Sequence, residues 1–235
     1  MAGGQRRLPN RRVSKHPMID HNTDPQQRVL VIGGGVAGIK AAMDLSEAHK
    51  NVLLIDRAAA IGGLMTQLDR TFPTNNCDLC TISPRLSAGA RQQHIELMPL
   101  TQVTALAGEA GNFTVTMTSA PRYIDLDKCT ACGECHKKYP ECVRFTPGLD
   151  HRAPTCMRYP QSTPQAFSID MAACKDVDGL VKVCPANAII PNDTEKQNTS
   201  SVAAIILAAG AELFDPGKLD HFGHGHYPNV VTGLE

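Results

Sequence analysis

The chain has 235 residues, of which 42% are apolar, and its 23 acidic side chains balance 23 basic ones. That length suits one large domain with an insertion or two small ones, and the charge balance argues against nucleic acid or an anionic membrane as the main partner. The nine cysteines are odd in number and cluster in metal-type spacings, which points to a reducing compartment, and a cytoplasm fits best.

Residues 1–27 carry Arg6, Arg7, Arg11, Arg12 and Lys15 with no apolar stretch behind them, so a disordered basic tail is expected rather than a signal peptide. No segment approaches the roughly 20 continuous apolar residues of a transmembrane helix; the longest run is Val202 to Ala211.

The folded part opens at Arg28. Arg28 to Ile32 reads as a buried strand, Gly33-Gly34-Gly35-Val36-Ala37-Gly38 supplies G-x-G-x-x-G, and Ile39 to Ala48 has helical apolar spacing. A second apolar strand, Val52 to Ile55, ends in Asp56. Gly33, Gly35 and Gly38 permit a tight turn and close approach of a pyrophosphate to a helix N-terminus, and an acidic residue about 20 positions on accepts from a ribose hydroxyl. This unit suits NAD or FAD. Arg57 and Ile61-Gly62-Gly63 resemble the stretch after the second strand in flavoproteins of the glutathione-reductase and thioredoxin-reductase type, and that resemblance implies FAD.

Farther along, His94 to Met98, Gln102 to Leu106 and Asn112 to Thr118, with a turn at Gly108 to Gly111, read as a small antiparallel meander. A cysteine-rich segment follows. Cys129, Cys132 and Cys135 occupy the first three places of the bacterial ferredoxin run C-x2-C-x2-C-x3-C-P, but Tyr139-Pro140 stands where the fourth Cys-Pro belongs. A second frame starts at Cys174 and ends at Cys184-Pro185, with Val177 and Leu180 at its inner positions. Because the fourth cysteine of each run ligates the other run's cluster, Cys129, Cys132, Cys135 and Cys184 make one complete site. Its partner, Cys174, Val177, Leu180 and Tyr139, retains a single thiol. The echo of Ile124-Asp125-x3-Cys129 in Ile169-Asp170-x3-Cys174 supports the repeat. One [4Fe-4S] cluster is expected. The competing reading is a zinc knuckle or a small disulfide knot, although zinc sites usually pair C-x2-C with a distant second pair.

Val202 to Leu207 reads as another buried strand, and Ala208-Ala209-Gly210 with Pro216 resembles the A-T-G-x5-P of the same flavoproteins, with Ala209 in place of Thr. Hence Gly210 joins the cofactor-binding set. Pro140 to Pro164 reads as loops.

Cys77 and Cys80 lie after the Gly-Gly turn. They fit a redox dithiol beside the flavin or ligands to an extra cluster, and two buried small residues are the least expected because Asn75, Asn76 and Asp78 around them are polar. Cys142, Cys156 and Cys174, with His136 or His151, could rebuild a second metal site, but three unliganded cysteines are the expectation because cluster sites take four cysteines in a local run. His221, His224 and His226 alternate with glycines as a surface loop would.

The expected fold is α/β: a Rossmann-type FAD-binding domain over residues 28–122 and 191–235, incomplete at its C-terminal end, with a bacterial-ferredoxin-like α+β module inserted over 123–190. Thr71-Phe72-Pro73-Thr74-Asn75-Asn76-Cys77-Asp78-Leu79-Cys80 with Ser83-Pro84, Gly111-Asn112-Phe113, Pro121-Arg122-Tyr123-Ile124-Asp125 and Pro228-Asn229-Val230-Val231-Thr232-Gly233-Leu234-Glu235 resemble the A subunit of heterodisulfide reductase. The resemblance covers Arg28 to the last residue and implies a truncated relative or an N-terminal fragment. It further implies FAD and iron-sulfur clusters, and partners that include the disulfide-reducing subunits, a ferredoxin, and a hydrogenase or dehydrogenase. The alternative is a stand-alone FAD-dependent disulfide oxidoreductase using Cys77 and Cys80. No second G-x-G-x-x-G for a nicotinamide domain follows Gly38, which favours the electron-transfer role in a larger complex.

Overall fold

Short apolar runs form the central layer. In the computed structural model, which describes residues 28–68, 70–71, 73–143, 162–211 and 214–232, the elements run as follows. Strand β1 (Arg28–Ile32), helix α1 (Val36–Glu47) and β2 (Asn51–Asp56) precede a two-residue hairpin, β3 (Arg70–Thr71) and β4 (Asn76–Cys77). Next come α2 (Asp78–Gly89), β5 (Ile95–Pro99), β6 (Thr101–Glu109) and β7 (Asn112–Ser119). Beyond these lie α3 (Glu134–Lys138), α4 (Val177–Val183), β8 (Lys196–Val202) and β9 (Ala204–Leu207). The basic tail lies outside the described residues, as do Cys156, His151 and most of the Pro140 to Pro164 stretch. Among the described residues no helix is long and apolar enough to cross a membrane.

The main sheet has the order β5-β2-β1-β9, and every pairing in it is parallel. Strands buried on both faces need continuous apolar runs, and alternate residues serve different cores. Val31, Val52 and Leu54 face α1 and α2 with Ile39, Ile82 and Leu86. Their neighbours Leu30, Leu53 and Ile55 face Val115, Met117 and Val202 of the antiparallel sheet β6-β7-β8. Helix α1 begins at Val36, so Gly38 lies in its first turn.

This arrangement corrects the expected meander. The segment around Ile95 to Met98 joins the parallel sheet beside β2 instead of β6, and Leu100, with φ of 57°, turns the chain between them. The third strand of the antiparallel sheet is β8, paired with β7 from Phe113–Val202 to Ser119–Lys196. Its sequence, KQNTSSV, is polar and mostly exposed, so its pattern carries no strand signal; backbone pairing along the edge of β7 opposite β6 makes it a strand. The predicted strand Val202 to Leu207 is likewise two. Ala203 breaks it, donating to the Arg28 carbonyl at 2.9 Å and accepting from the Gly111 amide at 2.9 Å as the chain passes from one sheet to the other.

Between β7 and β8 the chain builds a separate core from Ile124, Cys135, Cys142, Phe167, Ile169, Leu180 and Ile189. Its entrance and exit are tied together. The Asp193 carboxylate accepts from the amides of Arg122 and Tyr123 at 3.0 and 3.2 Å, the Ile190 amide donates to the Tyr123 carbonyl at 2.9 Å, and Ile124 bridges Ile189.

Candidate functional site

The glycine loop sits at the C-terminal ends of β1, β2 and β9, where ligands bind in open α/β sheets. Gly33, with φ of 104°, lies against the Ala208 carbonyl at the end of β9, where a side chain has no room. A Cβ on Gly38 would strike the Gly33 carbonyl, so this glycine lets α1 pack close to the loop. The Gly62 amide donates to the Gly34 carbonyl at 2.8 Å. Gly63, at φ of 60°, approaches so closely that an added Cβ would stand 3.1 Å from the Gly35 Cα.

Two chain segments bare of side chains therefore face each other at the start of α1. Gly35 is the N-cap and offers no side-chain acceptor, and the first turn holds no acid. Its leading amides are free of the caps that would compete with an anion, and the helix dipole favours negative charge there. Asp56 braces the loop: one carboxylate oxygen accepts from the Gly34 amide at 2.8 Å and the other from the Ala58 amide at 2.7 Å. Arg57 is exposed, and Gly210 stands in the open after β9 with nothing within 4 Å of an added Cβ. Ala208, the first residue of the Ala208-Ala209-Gly210 motif, contributes through its backbone carbonyl, a part that the sequence does not reveal.

A second site lies in the core between β7 and β8. Cys129, Cys132, Cys135 and Cys184 line one pocket, walled by Ile124, Phe167 and Ala188. Positive φ at Ala131 (53°) and Gly133 (80°) curls the first three round it, and the end of α4 delivers Cys184 from the other side. The Ala131 amide points at Cys129 Sγ at 3.4 Å and the Ala188 amide at Cys184 Sγ at 3.3 Å; such donors favour thiolates and tune cluster potentials. Burial, and then the neighbouring thiols, push the Cys135 thiol up to about 11, so a metal bound there would displace a proton. These four are free thiols. Among the described residues no three His, Cys, Asp or Glu side chains converge tightly enough to hold a metal ion. The four sulfurs are spread around a pocket instead.

The second frame is closed. Leu180 is fully buried, and Tyr139 donates its hydroxyl to Asp176, the N-cap of α4, at 3.0 Å. Cys174 is disulfide-bonded to Cys142, with Cα atoms 4.6 Å apart, so these two are paired with each other. Beside the pair, the Asp170 amide donates to the Cys142 carbonyl at 2.7 Å, as the Asp125 amide does to the Ala188 carbonyl at 2.8 Å. Asp125 and Asp170 also cap the turns after them in the same way.

Cys77 and Cys80 are disulfide-bonded too, with Cα atoms 5.3 Å apart at the start of α2. Among the described residues, His221, His224 and His226 belong to no metal-holding group.

The FAD dependent oxidoreductase family model matches residues 28–92. The chain is 39% identical over 214 residues to the second iron-sulfur A subunit of the CoB--CoM heterodisulfide reductase of Methanopyrus kandleri, covering 90% of this chain and 33% of that protein. It is 34% identical over 221 residues to the A subunit of the H(2):CoB-CoM heterodisulfide,ferredoxin reductase of Methanothermobacter marburgensis, covering 93% of this chain and 34% of that one. Among solved structures, T. acidophilum thioredoxin reductase matches with a TM-score of 0.33 and 18% identity over 39% of this chain and 31% of that chain. The chain is thus a relative of the heterodisulfide reductase A subunits, spanning about a third of the length of the curated relatives it matches.

Proposed function

We propose that this chain is the electron-transfer portion of an oxidoreductase of the heterodisulfide-reductase type, relaying electrons between FAD and one [4Fe-4S] cluster. The observation that carries the reading is the partition of the cysteines. The four free thiols surround one pocket, whereas Cys77, Cys80, Cys142 and Cys174 are disulfide-bonded.

The residues present fit both groups. For FAD, Gly33, Gly35, Gly38, Gly62 and Gly63 form a cradle whose glycines, bare of side chains, face the uncapped end of α1. Asp56, which braces the loop at Gly34, would hold the ribose, with Arg57 and Gly210 at the margin of the cradle. For the cluster, each iron of a cubane takes one thiolate, so its four ligands stand around a volume and need not converge on a point. That suits Cys129, Cys132, Cys135 and Cys184, and a zinc knuckle would need a tighter set. Residues 123–190 then act as a ferredoxin-like insertion in a flavin-binding domain formed by 28–122 and 191–235. A flavin exchanges two electrons or one and a cluster one, so together they split a two-electron couple.

What this chain's own residues do is hold and insulate. Ile124, Phe167 and Leu180 keep water from the insertion's core, and the amides at Ala131 and Ala188 stabilise thiolate charge. The partners we propose are other components of such a complex and an electron-carrying protein such as a ferredoxin, hydrogenase or dehydrogenase, in the cytoplasm. Anaerobic purification followed by visible and electron paramagnetic resonance spectroscopy tests the reading: flavin bands with a cluster signal support it, and bound zinc or colourless protein contradicts it.

A further inference from the structure

Arg122 is nearly fully buried at the entrance to the insertion. Its guanidinium donates through Nη1 to the Phe167 carbonyl at 3.3 Å and through Nη2 to the Ala59 carbonyl. Phe167 lines the four-cysteine pocket. Ala59 belongs to the loop that runs from Asp56 to the Gly62-Gly63 turn of the glycine cradle. One side chain thus spans the wall of one site and the support of the other. A second link runs beside it, the Ile61 amide donating to the Thr163 carbonyl at 2.9 Å, and the Arg122 backbone is pinned by Asp193 and by the Ile169 amide at 3.2 Å.

A buried guanidinium is expensive unless its donors are used, and carbonyls 45 and 63 positions away are a demanding way to use them. Packing alone would be served by an apolar side chain. The position explains the cost in another way. Electron passage between two carriers needs a fixed gap, and fixed gaps come from locked supporting contacts. A buried positive charge next to a cluster also favours its reduced, more negative state.

Building on the proposed function, we infer that Arg122 is a positioning residue for electron exchange between the cluster and the flavin. Its planar fork holds the Phe167 wall against the Ala59 loop, and its charge raises the cluster's reduction potential. In the exchange one electron leaves the reduced cluster and the flavin accepts it; Arg122 itself gains and loses nothing.

The test compares the full chain with R122M and R122K, each reconstituted anaerobically with iron, sulfide and FAD. Readouts are the cofactor counts, the cluster's midpoint potential from a redox titration, hydrogen exchange at the amides of 163–169, and the rate of electron exchange after flash reduction. R122M should retain iron and flavin, lose about tenfold in the cluster's reduction equilibrium, about 59 mV for one electron, and slow exchange at least tenfold. R122K keeps the charge but, as a point donor, cannot bridge both carbonyls. It should hold the potential near wild type while the amides of 163–169 exchange faster and electron exchange still slows. Potential and rate both unchanged in R122M overturn the inference. If R122M loses its cofactors, R122K decides: electron exchange at the wild-type rate overturns the positioning role. Wild-type chain without iron or flavin instead overturns the proposed function beneath it.

Discussion

Tyr139 donates its hydroxyl to the Asp176 carboxylate across 3.0 Å, at the place where a two-cluster ferredoxin run would put its fourth cysteine. The bond joins the end of the first repeat to the N-cap of α4 in the second. Asp176 is held below the usual carboxylate range first by the Gly179 amide and then by Tyr139, and Tyr139 is raised by the same bond.

Y139F should move Asp176 part of the way back toward its ordinary value, since the Gly179 contact remains. A carboxyl depressed in the folded state stabilises it above the unfolded value, and that contribution is lost as pH falls through the folded value. Y139F therefore narrows the acid range over which stability declines. Carbon NMR titration of the Asp176 carboxyl checks the shift; an unchanged midpoint contradicts it.

The glycines of the cradle divide by what surrounds them. Gly35 has φ of −74° and an added Cβ would meet only the Gly63 Cα at 3.9 Å, an ordinary contact. G35A should fold as wild type yet lose at least about tenfold in FAD affinity, about 1.4 kcal/mol, because the methyl projects into the cradle. G38A places its methyl on the Gly33 carbonyl and should cost about 1–3 kcal/mol of stability. Flavin titration and urea denaturation separate the two effects. Undiminished FAD binding by G35A argues against the cradle.

The Cys142–Cys174 pair closes a loop of 32 residues. Under oxidising conditions C142S should lower stability by about 2–4 kcal/mol, and reductant, which opens Cys77–Cys80 in both proteins, should erase the difference between them. Urea curves with and without reductant measure this. Equal stability of C142S and oxidised wild type would show that the pair contributes nothing.

Much of the Rossmann-like half is legible in the chain because its signals are local. Continuous apolar runs at Val29 to Ile32 and Val52 to Ile55 mark strands buried on both faces, and the glycines between them mark the turn. β8 is illegible for the opposite reason: Lys196, Gln197, Asn198 and Thr199 are exposed and become a strand only through β7. Residues 95–99 belong to a different sheet from the one expected, because their alternation fits either an antiparallel strand or a parallel edge. Cys129, Cys132, Cys135 and Cys184 can be picked out by spacing, and the structure sets them round one pocket. The Cys142–Cys174 pairing and the Arg122 bridge have no such signature. Their partners lie 32, 45 and 63 positions away, and two of the three are backbone carbonyls that any residue could supply.

The most direct measurement is iron per chain, after anaerobic reconstitution, for the wild type, C184A and C174A. The cluster account predicts about four irons in the wild type, about four in C174A, and none held as a cluster in C184A. Equal loss from both variants, or about eight irons in the wild type, would contradict it.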